Sequence, residues 1–155
     1  MPDKAYAILY TEENEDIGHL YFPIKRSSPY AGMPQFFGGT KHAGETDLQT
    51  IAREAAEESN HQIAINAVGH RIHSATVDNN QYHFYIATNY TGQHFLGPLP
   101  GNDEMTSIAR FQVHAGETDD IHDFFRRLDI SMSEEFGESE TCMAFEKALE
   151  WAQEA

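Results

Sequence analysis

The segment from Gly39 to Asn60, GTKHAGETDLQTIAREAAEESN, constrains this chain most, because a glycine-led turn runs into a helix with one apolar stripe and one crowded acidic face. Thr46 and Gln49 have the spacing of a capping box, Asp47 suits the positive end of the helix dipole, and Asn60 suits a left-handed exit. These signals predict a helix from Thr46 to Ser59. Leu48, Ile51, Ala52 and Ala55 fall at i, i+3, i+4 and i+7, a stripe that faces a core, and its small alanines let the helix sit close to a sheet. Glu54, Glu57 and Glu58 point the other way, and at about 3.6 residues per turn they are neighbours. Like charges at this spacing destabilise a helix by roughly 0.2–0.5 kcal/mol per pair. A hard divalent cation held by oxygen ligands reverses that sign. Taken alone, the three also fit a solvated acidic face.

The wider spacing decides between these readings. Gly39 is followed after five residues by Glu45 and after seven more by Arg53-Glu54-Ala55-Ala56-Glu57-Glu58-Ser59-Asn60. This resembles the Nudix box, the signature of the Nudix hydrolase superfamily, and every charged position matches. The departures are Ala55 for a larger aliphatic, Asn60 for the usual glycine and His61 for the closing aliphatic; none removes a reactive group. The hexapeptide His-Ala-Gly-Glu-Thr-Asp occurs twice, at His42 to Asp47 and at His114 to Asp119, but the second copy leads to Phe125-Arg126 and Asp129-Ile130 instead of the Arg-Glu and Glu-Glu pairs. The hexapeptide therefore reads as helix-entry chemistry, and the functional weight falls on Arg53, Glu54, Glu57 and Glu58.

The resemblance implies an α/β architecture, the Nudix fold, with a mixed β-sheet sandwiched between α-helices. It implies hydrolysis of a nucleoside diphosphate linked to another moiety, with Mg2+ or Mn2+ stabilising charge on the departing oxygen and acidifying the attacking water. By position, Glu57 and Glu58 are the principal metal ligands, Glu54 is a further ligand or the general base, and the Gly38 carbonyl reaches the metal. Arg53 and Glu45 form an orienting ion pair beside the structural Gly39. Glu104, in a late loop, is the other candidate base, with Asp103 as its fallback. Nucleoside triphosphate pyrophosphohydrolase is slightly favoured over other substrates. The alternative class is a non-catalytic nucleotide-sensing or protein-binding module, whose mark would be eroded carboxylates. An isomerase on this fold would need a pocket cysteine, and lone Cys142 falls on the last predicted helix.

Charge bounds the partners. With 25 acidic and 10 basic residues the formal charge is −15, a field that repels nucleic acid and anionic membrane and requires a metal to mediate a small anionic nucleotide substrate. The 155 residues, 40% hydrophobic, suit one domain over 1–155. A single cysteine forms no internal disulfide, the run Ala5 to Tyr10 is too short for a signal-peptide core, and the expected compartment is the cytoplasm.

Alternation predicts strands at Ala5 to Thr11, His19 to Ile24, Gln35 to Phe37, Ile63 to Val68, Arg71 to Thr76, Tyr82 to Thr88 and Ile108 to Val113. Loops fall at Arg26 to Pro34 and Phe95 to Glu104, a hairpin connection at Val77 to Gln81, and further helices at Asp119 to Leu128 and Glu140 to Gln153. His70 and His73, three apart in a strand, face opposite sides and make a poor zinc pair. Phe36, Phe37, Tyr82, Phe84 and Tyr85 read as sheet packing, and Lys25, Arg26 and Lys41 as flanking basic residues near the expected pocket. On the last helix Cys142, Phe145, Leu149 and Ala152 form a stripe suited either to the sheet or to a second copy in a homodimer.

Overall fold

The computed structural model describes residues 3–27, 29–92 and 97–154; Ser28 of the first predicted loop and Phe95 at the start of the second lie outside them. The strands are β1 (Lys4–Glu12), β2 (Ile17–Lys25), β3 (Phe37–Thr40), β4 (Ala64–Ala67), β5 (Arg71–Val77), β6 (Asn80–Ala87), β7 (Asn89–Thr91), β8 (Gly97–Pro98) and β9 (Met105–His114). The helices are α1 (Asp47–Glu58), α2 (Ile121–Leu128), α3 (Glu134–Gly137) and α4 (Glu140–Gln153). A mixed seven-stranded sheet runs β5-β6-β1-β2-β9-β8, with β3 added to β1, and β4 pairs with β7 in a small separate sheet.

Period-two alternation sorts the residues of β1 into two layers. Ala5, Ala7 and Leu9 face the α1 side, where they meet Phe37, Ile51, Ala55, Ile65 and Ala87. Ile8 faces the opposite side, with Leu20, Phe22, Phe36, Phe84 and Phe111 of the sheet region packed against Phe124, Phe136 and Phe145 of α2, α3 and α4. Phe36 and Phe37 are both fully buried, one in each layer. The stripe Cys142, Phe145, Leu149 and Ala152 is buried in the chain's own core, so α4 covers the sheet. No described helix is long and apolar enough to cross a membrane.

The feature that positions the site is a change of partners along β1. Its first half, Lys4 to Ala7, pairs antiparallel with β3, whereas Leu9 to Glu12 pairs antiparallel with β2. Along the other edge β6 runs parallel to β1 from Lys4↔Tyr82 to Leu9↔Ala87. The sheet thus splits near Ile8, with β2 continuing along β9 to Lys25↔Met105 and β3 taking its place beside β1. This accounts for one difference from the expected strands: β3 starts at Phe37 and includes both glycines, because ladder bonds to β1 extend it through them. Gly38 has φ +145, and a Cβ there would lie 2.1 Å from the Ala5 carbonyl oxygen. Only glycine allows that approach. Gly38→Ala should therefore destabilise by on the order of 3 kcal/mol, combining backbone strain with overpacking, and lower Tm by about 6–12 °C. Gly44→Ala, at φ +80 but in open space, should cost clearly less. Equal Tm shifts for the two variants would remove the packing argument.

The other differences have local causes. Asp78 and Asn79 both have positive φ and make a two-residue turn, so β6 begins at Asn80 rather than Tyr82. Strand β7 and the two-residue β8 are held by pairing to β4 and β9, contacts that no local pattern reveals. One-turn α3 is capped by Ser133 and anchored by buried Phe136. The second hexapeptide does not start α2 as its first copy starts α1: Asp120, with Asp123, supplies the capping box, and Thr118 lies outside it.

Candidate active site

Helix α1 begins where its sequence signals place it, with Thr46 and Gln49 reciprocally bonded, and its N-terminus is tied to the sheet by Asp47. Asp47 accepts from Lys41 Nζ at 2.8 Å, lies 2.8 Å from His83 Nδ1 and accepts from the Tyr85 hydroxyl. This anchoring lies outside the sequence reading, since His83 and Tyr85 are more than 35 residues from Asp47. It also occupies Lys41, and Arg26 is tied to the loop before β9, leaving Lys25 as the lysine or arginine that, among the described residues, lines the cleft below.

With its entry fixed, α1 turns Glu54 and Glu58 toward β3 at the split in the sheet. Glu58 is 4% exposed and its Oε1 accepts the Gly38 N–H at 3.0 Å. A Cβ on Gly39 would lie 3.2 Å from the carboxyl carbon of Glu54, so the glycine leaves room for that side chain. Glu104 enters from the loop preceding β9. One carboxylate oxygen from each of Glu54, Glu58 and Glu104 lies within 4.8 Å of the other two, the one such group of three or more metal-ligating side chains among the described residues. They line a cleft of about 340 Å³ that also includes Tyr6, Lys25, Gly38 and Gly39.

Arg53 holds one side of this group. Its Nε and Nη2 donate to the two oxygens of Glu45 at 2.9 and 3.0 Å, its Nη1 donates to Glu54 Oε1 at 2.6 Å, and Nη2 also reaches the Thr40 carbonyl at 3.1 Å. The fork thus fixes the Glu54 rotamer. The Arg53 hydrogen bond, helped by the His42 N–H, holds Glu45 down to about 2, while Glu45 and Glu54 raise Arg53. Burial pushes Glu58 well above the usual carboxylate range; the Gly38 N–H opposes this and the charges of Glu54 and Glu104 reinforce it. Burial likewise raises Glu54, against the pull of Arg53. One guanidinium does not neutralise three carboxylates and Glu45. An all-oxygen donor set of this spacing, short of positive charge, fits a hard divalent cation.

The remaining candidates stand apart. Glu57 is exposed and its carboxylate is not among the three that converge, although its charge adds to the rise at Glu54. Asp103 is exposed and outside the group. His73 lies 2.8 Å from Glu140 and His70 stacks on Trp151, so the two serve different neighbours. Cys142 is buried in the core, and burial lifts its thiol to about 11. Asn102, which the spacing of the sequence does not single out, is buried within the loop that carries Glu104.

No family model matches the sequence, and no curated protein matches it. Solved structures match the fold. A crystal structure of an ADP compounds hydrolase superposes with a TM-score of 0.59 at 13% identity, covering 97% of this chain and 72% of that one. A MutT structure from work on Aliivibrio salmonicida and Vibrio cholerae gives 0.57 at 17% identity, covering 92% and 95%. The chain has the Nudix fold. The Nudix domain of Shewanella oneidensis NrtR, solved with ADP ribose, agrees at 0.55 and 12% identity, covering 96% and 86%. The segment that resembles the Nudix box spans the end of β3 and all of α1, and two of its three helix glutamates face the cleft.

Proposed function

We propose that this Nudix protein is a Mg2+- or Mn2+-dependent hydrolase that cleaves a phosphoanhydride bond in a nucleoside diphosphate derivative, with nucleoside triphosphates the first substrates to test. The observation that carries the reading is the convergence of Glu54, Glu58 and Glu104 within 4.8 Å in a cleft backed by the β3 glycines. Glu54, Glu58 and Glu104 would hold the cation, with the Gly38 carbonyl as a further donor and Glu57 adding negative field from the rim. When bound, the ion neutralises phosphoryl charge and makes a water easier to deprotonate. Arg53, clamped by Glu45, keeps Glu54 aimed into the cleft. Lys25 is suited to a phosphate oxygen. Glu104, the exposed member of the group, is assigned the proton of the attacking water.

The test is a panel of nucleoside triphosphates, ADP-ribose and other ADP compounds with Mg2+ or Mn2+, reading released phosphate, pyrophosphate or mononucleotide. Turnover of at least one member, abolished by a chelator, is the expected outcome. Metal-dependent binding with no product across the panel would replace the hydrolase by a nucleotide-sensing module.

A further inference from the structure

The Nudix box of this chain departs from its pattern at Asn60, and that residue makes contacts a glycine lacks. Asn60 exits α1 with φ 54, a left-handed conformation that asparagine tolerates. Its Nδ2 donates to the Pro100 carbonyl at 3.0 Å, and its Oδ1 accepts from Asn102 Nδ2 at 3.0 Å. Asn102 is 8% exposed and uses both ends of its amide. Nδ2 also donates to the Glu57 carbonyl at 2.9 Å, while Oδ1 accepts the Glu104 N–H at 2.9 Å and the Met105 N–H at 2.8 Å. From the other side Arg26 donates its N–H to the Glu104 carbonyl at 2.8 Å and its Nε to the Asn102 carbonyl at 2.8 Å.

We propose that Asn60 and Asn102 form a clamp that positions Glu104, joining its loop to the C-terminal end of the helix that carries Glu54 and Glu58. Glu104 is exposed and sits on a loop, yet its carboxylate must stay within a few ångströms of two groups on α1 to share a cation with them. No ion pair among the described residues holds its carboxylate, which meets only the like-charged groups of Glu54 and Glu58. The Asn102 amide supplies the restraint, because one end grips the backbone N–H of Glu104 and the other grips the last turn of α1. Asn60 gives the amide a second acceptor and fastens the loop independently at Pro100. Asn102 and Asn60 are positioning residues on this reading, which rests on the cation site proposed above and is tested by metal affinity, so turnover is not needed to judge it.

Mn2+ affinity would be measured by titration for the wild type, Asn102→Ala, Glu104→Gln and the double variant, all as full chains. Asn102→Ala should weaken Mn2+ binding by about 10–100-fold, the usual effect of losing a group that orients a ligand. In the Glu104→Gln background the same change should have little further effect, because its action runs through Glu104. Asn60→Gly keeps the left-handed exit and removes both side-chain bonds, so it should weaken Mn2+ binding less, again only where Glu104 is present. This milder variant carries the test should Asn102→Ala fail to fold. An equal loss in both backgrounds, or wild-type affinity in Asn102→Ala, overturns the clamp. Wild-type protein that binds Mn2+ but hydrolyses nothing overturns the hydrolase reading alone, and wild-type protein that binds no Mn2+ overturns both.

Discussion

Glu58→Gln is expected to lower turnover at least ~10²-fold, as loss of a major electrostatic stabiliser does, while the protein stays folded. Glutamine keeps an Oε1 that accepts the Gly38 N–H, the bond Glu58 makes at 3.0 Å, and its amide can donate toward the nearby Glu104 carboxylate. What disappears is the charge a divalent ion requires. Because burial raises Glu58 above the ordinary carboxyl value of 4.5, the folded state holds that proton more tightly than the unfolded chain does. The metal-free wild type should consequently lose stability as pH rises past 4.5 and through the higher folded value. Glutamine removes this slope, so chelator-treated Glu58→Gln should match or exceed the wild-type Tm at neutral pH. Glu57→Gln is the internal comparison: its carboxylate is exposed and outside the converging group, so the loss should be clearly smaller. Wild-type turnover in Glu58→Gln would dissociate the cleft from the chemistry, and a larger loss in Glu57→Gln would move the working carboxylate to the rim.

That asymmetry marks the limit of what helical spacing conveys. The helix, its capping box and its apolar stripe were readable because each depends on residues within two turns of one another. The same spacing puts Glu54, Glu57 and Glu58 side by side but leaves open which two meet the sheet, since that depends on how α1 is rotated on β1 and β3. Ala55 and Ile51, buried against the sheet, set the rotation, and it leaves Glu57 exposed and outside the converging group. Glu104 was placed near the helix by the resemblance, not by its own neighbourhood. Asn102 gives no signal at all, because an asparagine in a loop with proline and glycine reads as turn chemistry, and its partners, Asn60 just past α1 and Glu57 on it, are 42 and 45 residues away. The partner exchange of β1 was equally hidden: local alternation defines the strand without saying that its two halves pair with different neighbours.

Glu104→Gln should reduce turnover by roughly 10²–10⁴-fold, the usual contribution of a positioned general base, and comparison with Glu54→Gln identifies which carboxylate has that role. Both carboxylates belong to the converging group, so proximity does not separate them. Their engagement does. One oxygen of Glu54 is committed to Arg53 at 2.6 Å, within a fork that also holds Glu45; burial raises Glu54, and that guanidinium opposes the rise. A group pinned against a permanent cation is better suited to holding charge than to accepting a proton. Glu104 is exposed and held through its backbone N–H, and so is open to an incoming water. If Glu104 is the base, the acidic limb of the pH–rate profile should vanish in Glu104→Gln and persist, at lower amplitude, in Glu54→Gln. Single-turnover measurements at saturating Mn2+ keep a weaker metal affinity from imitating that result. An unchanged rate in Glu104→Gln, together with loss of the acidic limb in Glu54→Gln, would transfer the proton to Glu54 and leave Glu104 with the metal alone.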